Sequence, residues 1–237
     1  LPYGTPCPPQ YLDRGSFKGL GHGIDARNSG TGRGFAAGSL NFDGNVVGIY
    51  TSGLSGFTAI RNSFFLGDRD VELAGEVDYN FLERHHRGIS TQKSHGFRIE
   101  ENDFVRANNV LAEGVDAIVI ENSGSNSTEV YKNKARDMNN GYIGEGNCID
   151  GFSASSVGHQ FLCNENVGND QDIWVRKDDG ETWNHSIRTQ QGHKALPAGN
   201  IFDQQGGERD YRNETDWVIN YWHNGGVGEP LYVTPGW

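Results

Sequence analysis

The sequence is poor in the residues that build helices. Methionine appears once in 237 residues, and alanine and leucine are sparse. That shortage excludes a helical bundle and the helical layers of a Rossmann-type fold. No apolar run approaches the ~18 residues of a membrane-spanning helix. Basic residues are outnumbered, 20 Lys+Arg against 31 Asp+Glu, for a formal charge of −11. Duplex binding needs a basic stripe and no charge run supplies one, which argues against nucleic acid as a partner. Familiar catalytic signatures are missing as well: there is no Gly-x-Ser-x-Gly elbow, Cys-x-x-Cys, His-Glu-x-x-His or P-loop. The cysteines Cys7, Cys148 and Cys163 stand at no metal-ligand spacing. Cys148 and Cys163 are candidates for a disulfide in an oxidising compartment, or each is a lone thiol on its own strand.

Glycine is abundant, at 34 residues, and asparagine is frequent, a composition suited to short strands joined by many turns. One phrase recurs, a short apolar alternation running into Asn and then an aromatic or apolar residue. It reads Leu40-Asn41-Phe42, Ile60-Arg61-Asn62-Ser63-Phe64 and Ile99-Glu100-Glu101-Asn102-Asp103-Phe104, with weaker copies at Asn133, Asn164 and Asn200. These asparagines are 21, 40, 31, 31 and 36 residues apart. The interval of 40 fits two turns of a repeat, with 70–73 and 77–81 filling the gap. Imperfect repeats of this kind predict an all-β solenoid, a right-handed parallel β-helix of about eight or nine coils. In such a fold inward Ile, Val, Leu and Phe form columns. Each phrase Asn would take the left-handed conformation before a bend and bond the Asn of the next coil. A two-sheet sandwich also alternates strands with glycine turns. The repeated Asn phrase, and the scarcity of Asn-Gly and Asp-Gly hairpin pairs, favour the solenoid.

The organisation expected is therefore an extended lead-in segment or the end of a preceding coil over 1–22, regular coils over 23–177, and looser, loop-rich terminal coils over 178–237. The tryptophans, at 174, 183, 217, 222 and 237, all lie late in the chain. A short helical loop is conceivable over 107–112. The chain starts Leu1-Pro2-Tyr3 and finishes Thr234-Pro235-Gly236-Trp237, and we expect a piece of a longer polypeptide.

The run Gly158-His159-Gln160-Phe161-Leu162-Cys163-Asn164 through Asp172-Ile173-Trp174-Val175 resembles the last β-helix coils of large surface proteins from Bacteroidetes. The later elements Ala198-Gly199-Asn200-Ile201-Phe202, Ile219-Asn220-Tyr221 and Glu229-Pro230-Leu231 follow in the same order. The upstream Ala117-Ile118-Val119-Ile120-Glu121-Asn122 and Glu129-Val130-Tyr131-Lys132-Asn133 belong to the same likeness, which spans about 45–237. Those proteins leave the cell through the type IX secretion system, often by way of a separate C-terminal sorting domain. The resemblance implies a secreted or outer-membrane-anchored location and contact with that machinery. It is a likeness of scaffold residues, silent on activity.

Enzymes built on this scaffold usually act on acidic polysaccharides, so lyase and hydrolase chemistry both need testing. A lyase needs a base beside a cation that neutralises a uronate carboxylate, and a hydrolase needs close carboxylates. Glu83-Arg84-His85-His86-Arg87 is the richest cluster, offering His86 as base and Arg87 as clamp. Adjacent histidines on a strand point to opposite faces, so at most one serves a given site. Asp68 and Asp70 share a face if their segment is extended, as a hydrolase pair or a Ca²⁺ site. The plainer readings are a solvated loop and an ordinary turn. Glu113, Asp116, Glu121 and Glu145 are scattered along the chain. Trp217 and Trp222 are candidates for a sugar-stacking platform, or they cover the open end of the stack. The expectation is an extracellular structural or adhesive segment without a catalytic constellation, touching surface polysaccharide or other surface proteins. The alternatives are a polysaccharide lyase, a glycoside hydrolase or a carbohydrate-binding module.

Overall fold

The computed structural model describes residues 14–28, 34–68, 85–107, 114–124, 128–148, 158–177, 187–203 and 209–223. They form short strands and no helix. Three strands make one pass of the chain. The first pass is β1 (Ser16–Lys18), β2 (His22–Arg27) and β3 (Ala36–Gly38). Next come β4 (Asn41–Asp43), β5 (Val47–Ser52) and β6 (Thr58–Ile60), then β7 (Ser63–Leu66), β8 (His85–Gln92) and β9 (Arg98–Glu100). The fourth pass is β10 (Asp103–Arg106), β11 (Gly114–Glu121) and β12 (Thr128–Tyr131). The fifth is β13 (Lys134–Arg136), β14 (Asn140–Glu145) and β15 (His159–Leu162). β16 (Glu165–Val167) and β17 (Gln171–Arg176) continue the series, and β18 (Gln190–His193), β19 (Leu196–Pro197), β20 (Arg209–Asn213) and β21 (Asn220–Tyr221) close it.

Each strand up to β17 pairs in parallel with the strand three places on, wherever both are described in the same sheet. The result is a six-stranded sheet A (β1, β4, β7, β10, β13, β16), a seven-stranded sheet B (β2, β5, β8, β11, β14, β17, β20) and a five-stranded sheet C (β3, β6, β9, β12, β15). The fold is all-β with stacked parallel sheets, consistent with a solenoid. Regularity ends in the last pass, where β18 pairs antiparallel with β19 and parallel with β21.

Among the described residues the seven strands of sheet B mark seven passes, against the eight or nine coils expected. The difference lies between Asn62 and Asn102. Ser63 pairs directly with Asp103 and Ile49 with Ile89, so this interval is one pass with a long insertion between its first two strands. The segments 70–73 and 77–81, read as an extra turn, lie outside the described residues, as does 108–112 of the conceivable helical loop.

The core is a set of columns, one residue per pass. Phe17, Phe42, Phe64 and Phe104 stack with ring centroids 5.3, 4.7 and 4.6 Å apart. Ile24, Ile49, Ile89 and Ile118 form a second column, and Ala37, Ala59, Ile99, Val130 and Phe161 a third. The Phe column needs room beside it. A Cβ on Gly48 would lie 2.6 Å from the Phe64 ring and from the Gly88 carbonyl oxygen, so only glycine fits there.

The corner before sheet A carries the asparagine ladder. Asn62, Asn102, Asn133 and Asn164 each donate backbone N–H to the side-chain oxygen of the next member, ending on Asn200, at 2.8–3.0 Å. Two details differ from expectation. The ladder begins at Leu40, whose N–H meets Asn62 Oδ1 at 3.0 Å; Asn41 is one position later, opposite Ser63. The left-handed residue is the one before each ladder position, Ser39, Arg61, Glu101, Lys132, Cys163 and Gly199. The ladder side chains must turn inwards and along the stack, so the bend falls one residue earlier.

Candidate functional site

The chemistry gathers on the outer face of sheet B. Side chains alternate along a strand, so beside the inward column of Ile49, Ile89, Ile118, Tyr142 and Ile173 runs an outward row of Tyr50, Ser90, Val119, Ile143 and Trp174. Two residues further on, Arg27, Ser52, Gln92, Glu121, Glu145 and Arg176 form a second outward row. Parallel stacking places successive members about 4.8 Å apart.

Hydrogen bonds join the two rows and run along the second. Tyr50 Oη donates to Gln92 Oε1 at 3.3 Å, Gln92 Nε2 to Glu121 Oε1 at 2.7 Å, and Arg176 Nη2 to Glu145 Oε1 at 2.9 Å. Glu121 and Glu145 stand opposite each other in register. Burial raises the Glu145 carboxyl above the ordinary carboxylate range; Arg176 opposes the rise and Glu121 adds to it. Arg176 and Arg212 lie 5.0 and 4.6 Å from the Trp174 ring centroid, and Arg27 lies 5.0 Å from that of Tyr50. The face thus carries two partly exposed rings with guanidinium groups against them, and a row of amide, carboxylate and guanidinium groups parallel to the stack, while Ser90, Val119 and Ile143 between the rings are buried.

A second cluster occupies the starts of the same strands. Asp116 is fully buried. Its Oδ2 lies 2.9 Å from His85 Nδ1 and 3.9 Å from Arg87 Nε, and its Oδ1 accepts from Asn140 Nδ2 at 2.6 Å. An isolated buried carboxylate would be costly; here the His85 ring and the Asn140 amide lie at hydrogen-bond distance and Arg87 at ion-pair distance. His85 keeps a quarter of its side chain exposed.

The residues singled out from sequence do not converge. His86 is buried, in register with the core residue Val115, with Nδ1 3.2 Å from the Asn45 carbonyl oxygen. Arg87 is also buried, beside Asp116. Asp68 lines a separate groove of about 600 Å³ over sheet A, with Lys18, Asp43, Phe65, Asp103 and Val105; there Lys18 holds Asp43 at 2.6 Å and Arg136 holds Asp103 at 2.6 Å. Asp70 lies outside the described residues. Among the described residues no group of three or more His, Cys, Asp or Glu is placed to hold a metal ion. Trp217 and Trp222 are each 40% exposed, on the irregular last pass.

The disulfide considered for Cys148 and Cys163 is absent, and both are free thiols. Cys148 is buried after sheet B, its Sγ 3.2 Å from the Glu145 carbonyl oxygen. Cys163 occupies the exposed left-handed position before the ladder. They belong to different corners of the pass. Burial pushes the Cys148 thiol up to about 12.

His85, Glu121, Glu145 and Trp174 went unselected in the sequence reading. One signal was present: aligning Ala117-Ile118-Val119-Ile120-Glu121 with Gly141-Tyr142-Ile143-Gly144-Glu145 sets the two glutamates side by side. No family model, no curated protein and no solved structure matches the chain.

Proposed function

We propose that the chain is a segment of right-handed parallel β-helix from a secreted or cell-surface protein, serving as a stiff adhesive element that binds polysaccharide along the outer face of sheet B. The handedness follows from the near-universal right-handed sense of crossovers between parallel strands. The likeness of its repeats to type IX-exported Bacteroidetes surface proteins supports the location and export by that machinery. The observation that carries the binding reading is the pair of rows on sheet B: Gln92, Glu121, Glu145 and Arg176 on consecutive strands, with the Tyr50 and Trp174 rings four strands apart in the row beside them. A periodic polymer matches a periodic surface: sugar faces stack on the rings and hydroxyls meet the amide and carboxylates.

Affinity electrophoresis through gels cast with single polysaccharides tests the reading. Retardation by at least one polymer, lost in Trp174→Ala and kept in Trp217→Ala and Trp222→Ala, is the expected result. Retardation lost in the Trp217 or Trp222 variants instead would move the site to the last pass and refute the sheet B assignment.

A further inference from the structure

We infer that the groove over sheet A is a docking surface for a basic, extended peptide segment of a partner protein. Its lysine or arginine side chains meet the groove's carboxylates, and an apolar side chain between them covers Phe65. This surface stands apart from the sheet B face to which the polysaccharide reading belongs. Lys18, Asp43, Phe65 and Val105 follow one another in register across β1, β4, β7 and β10. They point outwards, because the residues before them, Phe17, Phe42, Phe64 and Phe104, form the inward column. Alternation calls for a polar residue at the position of Phe65, yet the ring is there and 43% exposed. It sits on the third of the six strands of sheet A, within the regular stack. Covering such a ring with a partner is favourable, and leaving it in water is not.

The charge around the ring selects the partner. Three carboxylates line the groove, Asp43, Asp68 and Asp103, against one ammonium, Lys18. Lys18 binds Asp43 at 2.6 Å, and Arg136 holds Asp103 at 2.6 Å. Asp68 is in no ion pair among the described residues; its pull on Lys18 is weaker than that of Asp43. Its position is fixed all the same. A Cβ on Gly44 would lie 2.7 Å from Asp68 Oδ1 and 2.9 Å from Oδ2, so the carboxylate rests against the glycine at the corner after β4. An acidic groove with an aromatic floor fits a cation carried on an apolar stem. The methylenes lie on the ring, and the charged head meets both the carboxylates and the ring face. Polyanions are repelled by the same carboxylates. Four strands span about 14 Å along the stack, and residues i, i+2 and i+4 of an extended peptide share one face over about 13 Å. A basic residue at each end then reaches Asp68 and Asp103, with the apolar residue between them on Phe65 and Val105.

Fluorescence anisotropy of a labelled Lys-Ser-Leu-Ser-Lys peptide, titrated with the full chain at low salt, tests the inference. Saturable binding is expected, at least ~10-fold tighter than that of Glu-Ser-Leu-Ser-Glu and weakening as salt is added. Asp68→Asn is expected to weaken binding ~2–5-fold and Phe65→Ser ~5-fold or more. Both side chains are exposed and outside the core, so the circular dichroism of each variant should match the wild type. Glu129→Gln on sheet C removes the same single charge and should leave the affinity unchanged, as should Trp174→Ala on sheet B. Equal weakening by Glu129→Gln would reduce the binding to attraction by net charge and overturn the inference. Unchanged affinity in folded Phe65→Ser, or no saturable binding of the lysine peptide, overturns it too. A dimer seen by sedimentation and lost in Phe65→Ser would give the groove to a second copy of the chain and likewise overturn it. None of these outcomes bears on retardation by polysaccharide, which tests sheet B separately.

Discussion

Replacing Asn102 by alanine tests the ladder where its connections are most complete. The Asn102 side chain takes part in four hydrogen bonds. Its Oδ1 accepts from the backbone N–H and Nδ2 of Asn62, both at 3.0 Å, and its Nδ2 donates to the Ala59 carbonyl and to Asn133 Oδ1, both at 2.9 Å. Asn62 Nδ2 keeps the Ala37 carbonyl, and Asn133 Oδ1 keeps the Asn102 backbone N–H. Alanine thus strands one buried backbone donor, the Asn62 N–H, while the Ala59 carbonyl keeps its place in the β6–β9 pairing. At about 1–3 kcal/mol for one stranded group, the loss is about 2 kcal/mol. For a chain of this size, that lowers Tm by about 4–8 °C. Thermal and urea unfolding followed by far-ultraviolet circular dichroism measure it. Asn41→Ala, one position outside the ladder despite the matching phrase, is expected to change stability by no more than ~0.5 kcal/mol. A loss below 1 kcal/mol for Asn102→Ala, or an equal loss for Asn41→Ala, would refute the reasoning.

Three further outcomes are expected. His159 is buried with no hydrogen-bond partner on either ring nitrogen, and burial holds its pKa down to about 3. Between about pH 6.5 and 3 the unfolded chain takes up a proton that the native ring refuses, so stability falls as pH drops through that window, by up to ~1.4 kcal/mol per pH unit. Melting curves from pH 7 to pH 4 should show this fall in the wild type and a shallower one in His159→Phe. Gly48→Ala should cost ~1–3 kcal/mol by overpacking and Phe64→Ala ~3–5 kcal/mol; in urea melts the double variant should lose less than the sum, since removing the ring clears one of the two clashes. In a Cys7→Ser background, thiol titration without reductant should find Cys163 reactive in the native protein and Cys148 only after unfolding; failure to detect both thiols in denaturant would restore the disulfide.

The stacked parallel arrangement was legible because a column leaves a periodic trace in sequence. Phe42, Phe64 and Phe104 each stand two residues after a ladder position, and their spacing survives insertions because loops leave between strands. The number of passes was less legible. A 40-residue interval is compatible with one pass plus an insertion or with two passes, and only the pairing of Ser63 with Asp103 decides between them. The identity of the ladder was blurred by Asn41, an asparagine in the right phrase that sits one position past the corner. Site residues were hardest. Alternation correctly separates His85 from His86, but which of the two points outward depends on the bend into sheet B. Asp116, Glu121 and Glu145 become neighbours of one another or of His85 only through inter-pass register. That register depends on insertion lengths whose paths no local pattern records.

The central claim is that the outer face of sheet B receives a polysaccharide, and the most direct measurement is a titration of isotopically labelled protein with galacturonate oligosaccharide, read by backbone and side-chain amide NMR. The account predicts shifts at the Trp174 indole, the Gln92 side-chain amide and the backbone of Tyr50 and Arg176, with Ser63 and Lys134 on sheet A unmoved. Shifts confined to the groove around Asp68, or to Trp217 and Trp222, would contradict it.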